Sequence, residues 1–367
     1  MRVLLCGGGT AGHVMPAIAM GEIIESSFPG SEIAFGSRSG GAENKAYEVS
    51  GHKLYTVDVR GLKRSLSINN IKSIFMVLNS SRVAKDVIKD FNPDLIIGTG
   101  GYVCYPFIKA GVRLGIKTVL HESNVAPGLV TRLIGKKCDK VMLNHEETKK
   151  HLRYTKNTVT VGNPIRSDFR NIRRSDARRM LGVRDGEILI VSFGGSLGAE
   201  ILNTTVAEMI SRYTLSDNRI RHVHATGRCH FEDMKAKYPL LFRSARGVSI
   251  LPYIDNMPLY LTAADLAITR SGAITVSELC RSATPSILIP SPNVTGNHQY
   301  YNAKHLSDLG AAILIEEKDL TPGRLYSEIN SIITSLPKLK SMKKRAAEAE
   351  KSDVDGAIIR ALTDIMG

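Results

Sequence analysis

Ile188-Leu189-Ile190-Val191-Ser192-Phe193-Gly194-Gly195-Ser196-Leu197-Gly198 is an apolar run that ends in a glycine-rich loop. Its length and its β-branched residues suit a buried strand of a parallel sheet that opens onto a tight turn. An earlier stretch has the same form: Val3-Leu4-Leu5-Cys6, then Gly7-Gly8-Gly9-Thr10-Ala11-Gly12-His13. Two strand–glycine-loop–helix openings about half a chain apart predict an α/β protein of two Rossmann-like domains. Each domain is a doubly wound parallel sheet, and the two face each other across a cleft.

Outward from the first opening, short apolar runs at 33–35, 54–59, 94–97, 118–121, 141–143 and 159–161 alternate with helical patterns. Outward from the second, runs at 221–225, 248–251, 266–269, 286–289 and 311–315 do the same. The join is expected at Gly162-Asn163-Pro164, giving domains 1–163 and 164–351. The arginine-rich segment 166–184 is expected to be a helix. The tail 338–366 reads as one or two helices, with Asp353 or Asp355 as a cap.

The length, 367 residues, suits two cores rather than one. A net charge of +14 calls for an anionic partner: nucleic acid, a phosphate-rich substrate or an acidic membrane face. Aromatic residues are only 6 % and Trp is absent, so stacking platforms for nucleic acid are poorly supplied and no nucleic acid is expected. Cys6, Cys104, Cys138, Cys229 and Cys280 are scattered and form no C-x-x-C pair, which argues against a disulfide framework or a zinc site. Each is expected to be a small buried apolar residue. The N-terminal apolar run is too short for a signal peptide, and no stretch reaches the length of a membrane span. These features predict a cytoplasmic protein that can still lie on a membrane.

Four loops carry the chemistry. Gly7 to Gly12 fits G-x-G-x-x-G, a pattern that lets the backbone approach a ligand. The second strand ends in Gly36-Ser37-Arg38, without the acid a dehydrogenase uses on its ribose; an NADP site through Arg38 stays open. Gly98-Thr99-Gly100-Gly101-Tyr102 follows another apolar strand and can offer N–H groups to a diphosphate. Ser196 in the third loop can do so with its hydroxyl and amide. In the fourth, Thr269-Arg270-Ser271-Gly272-Ala273 turns into a helix whose N-terminus attracts phosphate, and Glu278 further along can accept from both hydroxyls of a ribose.

These loops, with His121-Glu122-Ser123-Asn124, Gly162-Asn163-Pro164-Ile165-Arg166 and Asn297-His298-Gln299-Tyr300-Tyr301-Asn302-Ala303, occur in an order that resembles glycosyltransferase family 28. The resemblance runs from Val3 to about Ala303. It implies a GT-B fold and inverting β-1,4 transfer of GlcNAc from UDP-GlcNAc to the 4-hydroxyl of the muramyl-pentapeptide sugar of lipid I. The products are lipid II and UDP, which places the chain in peptidoglycan synthesis and so in cell-wall growth, shape and division. It implies donor contacts from Thr10, Ala11, Gly12, Asn124, Arg166, Ser196, Ile254 and Gln299, and from Ala273, Ile274, Thr275, Val276, Ser277 and Glu278. It also implies an acceptor and membrane-associating first domain on which the last helix, about 352–367, packs back. The expected location is peripheral, on the cytoplasmic face of the membrane, with cell-wall synthesis proteins as candidate partners. Ala11 stands where many relatives have Gly, and Ser123 where Gln is frequent.

The acceptor hydroxyl needs a base and the leaving UDP needs charge stabilisation. His13 is the first candidate base; His121 and Glu122 are alternatives. Gly100, Gly101 and Tyr102 are expected at the acceptor diphosphate. No cofactor and no metal site are expected, because the one D-x-D pattern, Asp353-Val354-Asp355, lies in the tail, away from any strand end. Residues 68–89 read as a helix whose stripe of Ile71, Ile74, Phe75 and Leu78, flanked by Lys63, Arg64 and Lys72, suits an anionic membrane surface. The competing readings are another GT-B enzyme such as an epimerase, a non-enzymatic protein that binds anionic surfaces, and an NAD(P)-linked oxidoreductase.

Overall fold

The computed structural model describes the chain except residues 42–43, 59–80, 170, 244–246 and 351–352. The reading of 68–89 as a membrane-facing helix, with Lys63 and Arg64, falls largely outside the described residues; 81–91 are helical. The chain forms two units, Met1–Ser167 with Lys351–Gly367, and Asp168–Glu350.

The first unit holds β1 (Arg2–Cys6), β2 (Glu32–Arg38), β3 (Lys53–Val57), β4 (Leu95–Gly98), β5 (Lys117–Glu122), β6 (Lys140–Leu143) and β7 (Thr158–Thr160), all parallel, in the order β3-β2-β1-β4-β5-β6-β7. Successive side chains of a strand point to opposite faces, and a sheet covered on both faces is apolar on both. Accordingly Leu4 and Cys6 enter one core with Ile96, Phe107 and Leu120. Val3 and Leu5 enter another with Met20, Phe35 and Tyr47. The C-terminal helix Val354–Met366 completes the second core through Ile358, Ala361 and Leu362, and Lys140 pairs with Asp364 at 2.5 Å. Asp353 caps this helix, its Oδ1 accepting from the Gly356 amide at 3.1 Å.

The second unit holds β8 (Ile188–Phe193), β9 (Ile220–Ala225), β10 (Val248–Leu251), β11 (Leu266–Thr269), β12 (Ser286–Leu288) and β13 (Ala312–Leu314), parallel in the order β10-β9-β8-β11-β12-β13. In both sheets the order reverses beside the first strand, between β1 and β4 and between β8 and β11.

The segment 166–184 is not one helix. Only Arg174–Met180 is α-helical, after a short 3-10 turn at Ser167–Phe169, and Gly182 at φ 63° stops the chain from continuing it. Arg174 and Arg178, four residues apart on one face, donate to the Asp265 carboxylate at 2.6 and 2.9 Å, and the Leu189 amide donates to it at 2.9 Å. Two arginines of this basic stretch are therefore engaged in closing the second unit. Cys6, Cys104, Cys138 and Cys280 are buried, and burial pushes the Cys104, Cys138 and Cys280 thiols up to about 12. Cys229 departs from expectation: it is exposed, on the loop after β9, with its thiol donating to the Leu197 carbonyl at 3.0 Å.

Candidate active site

In the first unit, register brings two glycine loops together. Cys6 of β1 pairs with Gly98 of β4, so the loops that follow both strands leave the sheet side by side at its switch point. Thr99 joins them: its amide donates to the Cys6 carbonyl at 2.8 Å and its hydroxyl to the His13 carbonyl at 2.6 Å. Residues Ala11–Ser27 form the helix after the first loop, with Thr10 as an exposed N-cap in extended conformation and Gly12 also exposed. His13 is half-buried in its first turn. Gly100, at φ 110°, lies flat against the imidazole; a Cβ there would stand 2.5 Å from His13 Nδ1. Gly101 and the Tyr102 ring pack against Gly8 and Gly9 in the same way. The candidate base and the candidate diphosphate loop thus form one structure.

β5 delivers His121 and Glu122, and here the two alternative bases are accounted for otherwise. His121 is 1 % exposed; its Nε2 donates to the Gly162 carbonyl at 2.9 Å, and burial holds its pKa below the usual imidazole range. Glu122 is 5 % exposed and both oxygens are taken. Oε1 accepts from the Asn124 amide and side chain at 3.1 Å each, and Oε2 from the Gly128 amide at 2.8 Å and the Thr131 hydroxyl at 2.7 Å. A carboxylate with its acceptor sites filled has none left for a substrate hydroxyl. Glu122 instead fixes Asn124, which is half-buried. Arg166 lies at the end of this unit, where the neighbouring Ser167 amide donates to Glu22 at 3.0 Å.

In the second unit the loops after β8 and β11 leave side by side, with Phe193 of β8 paired to Thr269 of β11. Gly195 to Gly198 form a turn closed by the Gly198 amide on the Gly195 carbonyl at 3.0 Å, with Ser196 exposed at its tip. Gly198, at φ 81°, touches the loop after β9; a Cβ there would stand 2.0 Å from the Thr226 carbonyl oxygen. After β11, Gly272 caps the helix Ala273–Arg281. Ile274 and Val276 are buried, while Ala273, Thr275, Ser277 and Glu278 are half-buried. Thr275 and Glu278, three apart, share one face. Gln299, on the helix His298–Asp308, is tied to both neighbouring loops. Its side chain accepts from the Ser291 amide at 2.9 Å and its carbonyl from the Ser271 hydroxyl at 2.8 Å. Ile254 is 2 % exposed in the loop after β10.

The sequence reading missed the residues that hold these loops. Thr99, Gly128 and Thr131 do so in the first unit, and in the second Ser271 with Asn302, whose amide donates to the Ser271 carbonyl at 3.2 Å. Thr99 and Asn302 lie inside quoted motifs, so their positions were visible and only their partners were not.

Two parallel-sheet α/β units, each with glycine loops and a helix N-terminus at its switch point, define a GT-B architecture. Residues 3–143 match the glycosyltransferase family 28 N-terminal domain and residues 189–357 the family 28 C-terminal domain. The chain belongs to glycosyltransferase family 28. A relative from Acetivibrio thermocellus, named UDP-N-acetylglucosamine--N-acetylmuramyl-(pentapeptide) pyrophosphoryl-undecaprenol N-acetylglucosamine transferase, is 39 % identical over 100 % of this chain and 98 % of its own. The crystal structure of Acinetobacter baumannii MurG matches with a TM-score of 0.74 over 99 % of both chains at 23 % identity. That of a putative UDP-N-acetylglucosamine 2-epimerase from Listeria monocytogenes matches with 0.71 over 99 % of this chain and 96 % of that one at 13 % identity. At these identities the two structures speak for the fold alone.

Proposed function

We propose that this chain transfers N-acetylglucosamine, with inversion, from UDP-GlcNAc to the 4-hydroxyl of the lipid-linked muramyl-pentapeptide, releasing UDP. The observation that carries this reading is identity of 39 % across the entire chain to a relative named for that reaction. The epimerase shares the fold at 13 %. The acceptor oxygen attacks the anomeric carbon, its proton passes to His13, and the bond to the diphosphate breaks on the opposite face. Gly100, Gly101 and Tyr102 are assigned to the acceptor diphosphate, and Thr10, Ala11, Gly12 and Asn124 to the donor sugar. Arg166, Ser196 and the N-terminus of the helix Ala273–Arg281 stabilise the charge on the departing UDP. Gln299 meets the sugar hydroxyls, Glu278 the ribose, and Ile254 the uracil through its backbone. Among the described residues no helix is long and apolar enough to cross a membrane; the lipid-borne acceptor argues for peripheral attachment to the cytoplasmic face.

The test is transfer of labelled GlcNAc from UDP-GlcNAc to a lipid I analogue by the purified protein, with and without chelator. Transfer that survives chelation is expected. Tight UDP-GlcNAc binding without transfer would assign the chain a different acceptor. Replacing Glu278 by alanine should weaken UDP-GlcNAc binding about 10- to 100-fold by calorimetry, the worth of hydrogen bonds to a charged acceptor. Undiminished affinity would remove the ribose assignment.

A further inference from the structure

β8, β9 and β10 are neighbours in the second sheet, so the loops that follow them leave its carboxyl edge side by side. The outer two carry Ser196, assigned to the departing UDP, and Ile254, assigned to the uracil. The middle loop, Thr226-Gly227-Arg228-Cys229, is fastened to both. Gly227, at φ 85°, lies against the Ser196 loop: a Cβ there would stand 2.3 Å from the Leu197 carbonyl oxygen, to which the Cys229 thiol donates at 3.0 Å. On the other side the Thr226 amide donates to the Leu251 carbonyl at 3.0 Å, at the end of β10. Arg228 is held between these anchors.

Its side chain reaches over the uracil loop. The guanidinium carbon lies 5.1 Å from the centre of the Tyr253 ring, and Nη2 lies 3.5 Å from Asp255 Oδ1. Tyr253 and Asp255 flank Ile254, so the guanidinium stands beside the backbone assigned to the base. Stability of the fold does not require this arrangement. The two side chains of the ion pair are 67 % and 86 % exposed, and such a pair contributes little in water while costing rotamer freedom. The ring and the single carboxylate orient the guanidinium plane and leave most of its N–H donors unspent. A planar group with donors and no acceptor can distinguish the pyrimidines. O2 is common to uracil and cytosine, whereas at position 4 uracil has an accepting oxygen and cytosine a donating amino group. Facing uracil, the guanidinium gains a hydrogen bond; facing cytosine, it meets another donor, and that mismatch disfavours the wrong base.

We propose that Arg228 is a specificity-determining residue for the donor, its guanidinium donating to O4 of the uracil while Tyr253 and Asp255 orient it. The inference rests on the reading that UDP-GlcNAc is the donor and that Ile254 meets its base. The experiment is calorimetric titration of the full chain, wild type and Arg228→Met, with UDP and with CDP, which share the same diphosphate. The wild type should prefer UDP. The variant should bind UDP about tenfold or more weakly and CDP no more weakly than the wild type does, so the preference shrinks by at least that factor. With saturating UDP-GlcNAc its kcat should stay near the wild-type value while KM rises. Its thermal midpoint should hold, because the side chain is exposed. Equal loss for both nucleotides would overturn the proposal, since the guanidinium would then serve the shared diphosphate; so would undiminished affinity for UDP. A wild type that binds neither nucleotide would sink the donor reading and the proposal with it. A wild type that prefers UDP but transfers nothing would count against the assigned reaction and not against Arg228.

Discussion

His13→Ala should lower kcat by about 10²- to 10⁴-fold while changing UDP-GlcNAc affinity far less, the range spanned by loss of a positioned general base. The expectation comes from how the imidazole is held. Its backbone carbonyl is clamped by the Thr99 hydroxyl, its ring lies against Gly100 with no room for a methyl group, and both loops emerge at the switch point where β1 and β4 part. The alternatives on β5 lack such access: His121 is buried on the Gly162 carbonyl and Glu122 is filled with donors. Steady-state turnover with a lipid I analogue, beside calorimetry of the donor, separates the two quantities. Near-normal turnover would remove His13 as the base.

The thirteen strands among the described residues were legible because buried parallel strands read as short apolar runs, the edge strands as partly apolar ones, and glycine punctuates where many of them end. The loops followed from the same punctuation. Strand order was not legible in that way, since nothing local to Cys6 says that Gly98 is its neighbour; the pairing of β1 with β4 is what turns two separate glycine motifs into one site. Charge misleads in one respect. The excess of basic residues points to an anionic partner, yet Arg174 and Arg178 are engaged with Asp265, about 90 positions away in sequence. The apolar character of cysteine places Cys229 in the core; a thiol that instead donates to Leu197 on a surface loop leaves no mark in composition.

Glu122→Ala should destabilise the first unit by about 2–4 kcal/mol, because it removes one buried carboxylate and strands four donors at once, the buried Thr131 hydroxyl and the half-buried groups of Asn124 and Gly128. The Gly128 amide and the Thr131 hydroxyl would lose their acceptor, and the Asn124 amide and side chain theirs. Urea denaturation measures the loss. Glu122→Gln tests the reason: the nitrogen of the new side chain cannot accept, so one of the two donor pairs must face another donor, and the amide should rescue only part of the stability. The assignment as a positioning residue makes a further demand on the Glu122→Gln variant that remains folded. Donor-sugar binding should weaken through misplaced Asn124, so KM for UDP-GlcNAc should rise more than kcat falls. A general base would give the opposite split, with kcat collapsing and KM little changed. The two outcomes therefore discriminate between a carboxylate that holds the loop and one that takes the proton, and the four donors already on Glu122 favour the first.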